Sequence, residues 1–167
     1  MRARFRRILQ HLFTTAWTVR SVFPPSALER IEAAIRESEA QHGGQIRFAV
    51  EHSLDLREVF RGLSARERAV EVFGELAVWD TEHNNGVLIY FLLADRDFEI
   101  VGDRGIHLHV GPVGWEEIAR GMEERIRDGD FASAVVWGIH AVGARLRDHF
   151  PDVGGGPNGL SDQPVVL

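Results

Sequence analysis

Apolar residues recur at helical spacing over the first 23 positions of the chain. The repeating positions are Phe5, Leu9, Leu12, Ala16, Val19 and Phe23. This period predicts an amphipathic helix over residues 1–23. The segment is basic, because residues 1–20 contain five arginines and no acidic residue. Three interpretations follow: the helix lies on an anionic membrane surface, binds a protein partner, or packs on its own domain.

The pattern then changes repeatedly, which indicates alternating helices and strands. Residues 24–44 predict a helix that begins after a proline pair and ends at a glycine pair. Residues 46–50 predict a short strand. A capping-box spacing predicts a helix that starts at residue 64 and runs toward residue 79. Residues 53–62 show neither period and are predicted to be irregular.

An unbroken apolar run, Val87–Ala94, is the strongest strand signal in the chain. The run is short for a helix and rich in strand-forming residues, so it predicts a strand buried on both faces of a sheet. Asp95-Arg96-Asp97 predicts a tight turn into a second strand, Phe98–Val101, and the pair therefore forms an antiparallel hairpin. Residues 106–110 are a candidate third strand.

Two further helices are predicted over residues 113–127 and 131–149, followed by a stop at Pro151. Residues 152–167 are rich in glycine, proline and asparagine and predict a flexible tail. The order of elements predicts a small mixed sheet covered by helices, an α/β sandwich over residues 24–151.

Composition excludes several kinds of site and partner. The chain is 44% hydrophobic and 26% charged, as expected of a folded protein, and it has no cysteine, which excludes disulfides and thiolate metal sites. The net charge is -6, but the part after residue 20 holds 14 arginines against 25 carboxylates. Such an acidic body would repel nucleic acid, so no nucleic-acid partner is expected.

The predicted hairpin brings two polar loops together. In a hairpin, the start of the first strand lies beside the end of the second, so residues 80–86 should neighbour residues 103–105. The candidate metal ligands in these loops are Asp80, Glu82, Asn84, Asn85 and Asp103. Carboxylate and amide oxygens suit a divalent cation such as calcium or magnesium. The alternative is that the asparagines serve a positive-φ turn and the acids cap backbone donors.

Two other patterns carry candidate chemistry. An apolar strand leading into Asp95 and Asp97 is typical of phosphatases that use the first aspartate as nucleophile, although a hairpin turn explains the same residues. His107 and His109 would share one face of a strand and could hold zinc with His83, and the alternative is surface histidines.

Three segments carry a resemblance to a known family. The segments are Trp79–Glu82, Asn85–Tyr90 and Glu99–Ile106, and the likeness continues through Trp115–Ile118 and Gly129–Phe131. Over about residues 24–151 the sequence resembles the TPM domain family. The resemblance implies a three-layer α/β/α sandwich with a cleft lined by acidic loops, where some members bind calcium or other divalent ions. Asp80, Asn85 and Asp103 occupy the family's motif positions.

The resemblance leaves two functions open. One is a module with a divalent-cation-binding cleft that assists a membrane- or protein-assembly process through an unknown protein partner. The other is a metal-assisted phosphomonoesterase, since a plant member is described as an acid phosphatase. Many relatives have a signal peptide and a transmembrane helix after the domain. This sequence shows neither pattern, so the expected location is the cytoplasm, with peripheral contact to anionic membrane through residues 1–23.

Overall fold

The computed structural model describes residues 2–151 and 160–167, and this part of the chain forms seven helices and four strands. The helices are α1 (Arg2–Phe13), α2 (Ala16–Val22), α3 (Pro25–Glu39), α4 (Leu56–Arg61), α5 (Ala65–Glu75), α6 (Arg104–Arg127) and α7 (Phe131–His149). The strands are β1 (Gln45–Glu51), β2 (Gly86–Leu92), β3 (Asp97–Gly102) and β4 (Val165–Val166).

The strands form one mixed sheet in the order β3-β2-β1-β4. β1 runs parallel to β2 and to β4, whereas β2 and β3 form the predicted antiparallel hairpin. Every residue of β2 is buried, as expected of a central strand covered on both faces.

Helices cover both faces of the sheet, which confirms the α/β/α sandwich. One core lies between the sheet and α3, α6 and α7, and the other lies between the sheet and α4 and α5. Alternation along β2 separates the two cores: Ile89 faces the first, and Leu88 and Tyr90 face the second.

The N-terminal segment is two helices, so the prediction of one helix over residues 1–23 is wrong. α1 ends at Phe13, and Thr15 takes an extended conformation as the N-cap of α2. Threonine hydroxyls bond nearby backbone groups and so favour a cap over a helix interior. The apolar period continues after the break between the two helices. Val19 in α2 and Phe23 directly after it are both buried in the first core.

Two local predictions are also wrong. Residues 106–110 are helical, because Asp103 caps α6 and accepts a hydrogen bond from Arg104 N. α6 kinks where Gly111 adopts a φ of 66° before Pro112. Residues 56–61 form α4, which opens with a capping box of Asp55 and Glu58 in the segment predicted to be irregular.

The predicted flexible tail is wrong for residues 160–167, and residues 152–159 lie outside the described part. Val165–Val166 forms β4 at the edge of the sheet beside β1. Leu167 N donates to Val50 O at 2.9 Å, and His52 N donates to Leu167 O at 3.2 Å. The β-branched pair therefore extends the sheet where glycine-rich composition suggested a coil.

None of the helices within residues 2–151 and 160–167 combines the length and apolar character needed to cross a bilayer.

Candidate functional site

The loop before β2 meets the start of α6 at the base of the hairpin. Asp103 N donates to Gly86 O at 2.9 Å, and Ile106 N donates to Asn84 O at 3.2 Å. The first bond continues the β2–β3 ladder beyond its last pair, Val87 with Gly102, and the second joins α6 to the loop. The loops expected from the sequence to be neighbours are therefore in direct contact.

Two glycines at the base of the hairpin lie against the backbone of other segments. A Cβ on Gly105 would lie 2.5 Å from the carbonyl oxygens of His83 and Asn84, and a Cβ on Gly86 would lie 2.0 Å from Val78 O. Neither position has room for a side chain. The close approach of the two loops thus depends on Gly105, whereas Gly86 allows the start of β2 to pack against Val78.

Asn85 is the most deeply buried of the predicted ligands, with 1% of its surface exposed. Its backbone N donates to Thr81 Oγ1 at 3.0 Å, and its side-chain Nδ2 donates to Gly43 O at 3.1 Å. Its Oδ1 is buried without a hydrogen-bond partner among the described residues. A buried acceptor in that state destabilises the fold unless a ligand or water satisfies it.

Asp103 presents the second such oxygen. Its Oδ1 accepts a hydrogen bond from Arg104 N at 2.7 Å, as the N-cap of α6. Its Oδ2 is buried and has no hydrogen-bond partner within residues 2–151 and 160–167. Each of the two touching segments therefore contributes one buried oxygen that lacks a donor.

The other predicted ligands lie on the rim of the loop. Asp80 and Glu82 are exposed, and Asn84 is half-buried with a φ of 52°. In the part of the chain that is described, no three histidine, aspartate or glutamate side chains come together as metal ligands would. The positive φ of Asn84 and the capping by Asp103 are also the features that the alternative, a structural turn, predicts.

The opposite end of the hairpin holds Asp95 in a turn. Arg7 Nε lies 3.0 Å from Asp95 Oδ1 and Arg7 Nη2 lies 2.8 Å from Oδ2, while His11 Nε2 lies 3.1 Å from Oδ1. Burial opposes ionisation, but the hydrogen bonds from Arg7 and His11 outweigh it and lower the pKa of Asp95. The carboxylate is engaged on both oxygens, which favours the turn interpretation over the nucleophile.

A surface cavity of about 400 Å³ lies beside that turn. Its lining includes Arg6, Arg7, Asp95 and Asp97 and none of the five predicted cation ligands. The sequence gives no local sign of this pairing, because Asp95 lies 88 residues from Arg7 and 84 residues from His11. The residue 80–86 loop with Asp103 is the better candidate site, because there two buried oxygens without a partner among the described residues coincide with the family motif positions.

The predicted pairing of His107 and His109 for zinc is wrong. Both residues lie in α6, where positions two apart point to nearly opposite sides of the helix. His107 Nδ1 accepts a hydrogen bond from Trp115 Nε1 at 3.1 Å, and His109 stacks on His149 with ring centroids 4.6 Å apart.

Known proteins share this architecture. A family model described as the TPM domain, and named TPM phosphatase, matches residues 19–145. Among solved structures, the chain is similar to the NMR structure of the BA42 protein from the psychrophilic bacterium Bizionia argentinensis, with 28% sequence identity and a TM-score of 0.76. The similarity covers 85% of this chain and 93% of BA42. No functionally curated protein matches the chain.

Proposed function

This chain belongs to the TPM domain family, and from that premise we propose that it is a divalent-cation-binding module whose ion lies between the residue 80–86 loop and Asp103. The observation that carries the proposal is the pair of buried, unpartnered oxygens, Asn85 Oδ1 and Asp103 Oδ2, on two segments in direct contact.

The chemistry of these donors favours a hard cation. Leaving a buried acceptor unsatisfied costs about 1–3 kcal/mol, so an ion that engages both oxygens would recover that free energy. Calcium takes about six to eight oxygen ligands and tolerates irregular geometry. Asp80, Glu82 and Asn84 lie on the adjoining rim, and water would complete the shell. Calcium is therefore the first ion to test.

The ion would act on the start of α6. A cation held by Asp103 and the loop would fix the first turn of that helix against residues 80–86, and this would make the shape of the surrounding surface dependent on the ion. A surface that forms only with the ion suits regulated binding to a protein partner. We therefore propose that the domain assists a membrane- or protein-assembly process.

A second candidate function is a metal-assisted phosphomonoesterase, which the name of the matching family model favours. The ion at the same site would lower the pKa of a bound water or offset the charge of a phosphate. No residue of this chain is assigned as a nucleophile in this alternative.

Calcium titration of the melting temperature tests the cation site. Asp103→Asn keeps a side chain that can cap α6 but removes the charge. Asp130→Asn is the matched control, because Asp130 caps α7 through Ser133 N and lies outside the candidate site. We expect calcium to stabilise the parent and Asp130→Asn by about 2.7 kcal/mol at a hundredfold excess over Kd, and Asp103→Asn far less. An equal gain in Asp103→Asn places the ion elsewhere.

Hydrolysis of p-nitrophenyl phosphate separates the two functions. Turnover that requires the divalent ion and disappears in Asp103→Asn, with the fold retained, supports the phosphatase. A background rate common to the parent, Asp103→Asn and Asp130→Asn supports the binding module.

A further inference from the structure

The N-terminal helix α1 docks on the domain through two polar side chains, Arg7 and His11, and through the apolar Ile8. Arg7 pairs with Asp95 and also donates to Leu63 O at 2.6 Å. His11 is buried, its Nδ1 accepts a hydrogen bond from Leu54 N at 2.9 Å, and its Nε2 faces Asp95. These contacts fix α1 beside α4 and the hairpin turn.

Three large apolar side chains of α1 nevertheless face solvent, whereas Ile8 packs against the second core. Phe5, Leu12 and Phe13 are 63%, 51% and 79% exposed. At about 100° per residue, all three lie at least about 100° around the helix from both Arg7 and His11. An ordinary amphipathic helix buries its apolar face, whereas α1 leaves Phe5, Leu12 and Phe13 exposed.

The helix that follows α1 in the chain and the helix packed beside α1 also expose large apolar side chains. Trp17 on α2 is 75% exposed, and Phe60 on α4, the helix packed beside α1, is also exposed. Single exposed apolar residues are common, but several along one helix indicate a surface that binds a protein or a membrane. We name Phe5, Leu12, Phe13 and Trp17 the apolar stripe.

The distribution of charge indicates which partner this surface binds. Residues 2–23 contain five arginines and no acidic residue, and Arg6 and Arg20 are exposed, whereas the part of the chain after residue 20 is strongly acidic. Aromatic and aliphatic side chains beside arginines are the composition of helices that lie in the headgroup region of a bilayer. We propose that the apolar stripe docks the protein on an anionic lipid surface, with α1 lying parallel to it.

Electrostatics also disfavours a second copy as the occupant. A twofold contact presents the same patch from both subunits, which would bring two arginine-rich helices together. On an anionic bilayer the acidic body is repelled and the N-terminal helices are attracted, so one orientation is selected. This inference does not depend on the cation site.

Co-sedimentation with vesicles tests the proposal, with EDTA present to exclude an effect of divalent ions. We expect the parent to bind phosphatidylcholine vesicles that contain phosphatidylglycerol, to bind pure phosphatidylcholine weakly, and to be released by high salt. Phe13→Ser with Trp17→Ser should lower the partition coefficient by about tenfold or more, because two exposed anchors are removed.

The matched control is Leu108→Ser with Val113→Ser, since both residues are exposed apolar positions on α6. This control should bind as the parent does, and all three proteins should melt alike. Equal vesicle binding by the parent and the Phe13/Trp17 variant overturns the proposal. The proposal is also overturned if the parent does not bind vesicles and sediments as a dimer while the Phe13/Trp17 variant sediments as a monomer. The surface would then bind a second copy of the chain.

Tryptophan fluorescence gives an independent measurement. Vesicles should shift the parent's emission to shorter wavelength as Trp17 enters the headgroup region. Trp17→Phe should remove most of that shift while sedimentation persists, and Trp79→Phe, which changes another exposed tryptophan, should retain it. A shift that survives in Trp17→Phe contradicts the proposed orientation.

Discussion

Tyr90 on β2 donates a hydrogen bond from its hydroxyl to Glu51 Oε2 on β1 at 2.5 Å. The same carboxylate accepts from Arg68 Nε of α5 at 3.0 Å, so the phenol lies in a small buried polar network on the second face of the sheet. Burial of the ring, together with the bond to Glu51, raises the pKa of Tyr90 far above its ordinary value.

The alkaline titration of the protein follows from that position. Tyr90 is the only tyrosine in the chain, so phenolate absorbance reports on it alone. Because its pKa is higher in the folded state than in the unfolded state, stability is intact below about pH 10 and falls by up to about 1.4 kcal/mol per pH unit above it. We expect phenolate absorbance to appear only together with loss of the circular dichroism signal.

Tyr90→Phe provides the control for this titration. Removing the hydroxyl should lower the free energy of unfolding at neutral pH by roughly 1.5–3 kcal/mol, because the acceptor is charged. The same substitution should abolish the tyrosine-linked loss of stability at high pH. Phenolate that forms near pH 10 while the protein remains folded would contradict the burial of Tyr90.

Asp95 gives the molecule an acid-sensitive contact between α1 and the hairpin turn. Its pKa is lowered, so the stability it confers is present above its unfolded value of about 4 and is lost as the pH falls below that value. Asp95→Asn should lower the free energy of unfolding by about 1–3 kcal/mol at pH 7. In urea denaturation, the difference in free energy of unfolding between the parent and Asp95→Asn should decrease as the pH falls below about 4.

Asp97 supplies the comparison for that experiment. It is the first residue of β3, directly after the same turn, and its Oδ1 accepts a hydrogen bond from Phe98 N. Asp97→Asn should therefore change the free energy of unfolding at pH 7 by less than about 0.5 kcal/mol. A loss as large as that of Asp95→Asn would show that the turn, and not the bond to α1, is responsible.

The sequence predicted the hairpin well because its signals are local. The apolar run of β2, the short turn and the strand that follows lie within about 20 residues, and pairing geometry then fixes which loops meet. The contact between residues 80–86 and Asp103 followed from that geometry. The burial of Asn85 did not, since it depends on Gly43, which lies 42 residues earlier in the chain.

The other features that the sequence does not predict depend on contacts between residues far apart in the chain. Arg7 and Asp95 are 88 residues apart, and neither carries a local sign that it pairs with the other. The amphipathic period of α1 was visible in the sequence, but the period does not tell which side of the helix meets the domain. β4 was missed because a two-residue edge strand is defined by the strand it joins, β1.

Gly105 is predicted to control the cation site without being a ligand. A Cβ there would collide with two backbone oxygens of the residue 80–86 loop, so Gly105→Ala should push the start of α6 away from the loop. We expect a loss of about 1–3 kcal/mol in the free energy of unfolding and a loss of the calcium-induced rise in melting temperature. All five candidate ligands remain in this variant.

Gly74 in α5 is the matched control, because a Cβ there meets no atom within 4 Å. Gly74→Ala should raise stability by about 0.5–1 kcal/mol and leave the calcium response unchanged. If Gly105→Ala retains the full calcium response, the ion does not bridge α6 and the loop.

The two residues of β4 should differ sharply in their tolerance of polar substitution. Val165 pairs with Ala49 and packs on the second core, whereas Val166 is 50% exposed. Val165→Ser should lower the free energy of unfolding by about 1–2 kcal/mol, and Val166→Ser should change it by less than about 0.5 kcal/mol. Both substitutions keep the backbone bonds to β1, so urea denaturation of the pair isolates side-chain burial. Equal stabilities would show that β4 is not held on the sheet in solution, and the unpaired edge of β1 would then be open to other strands.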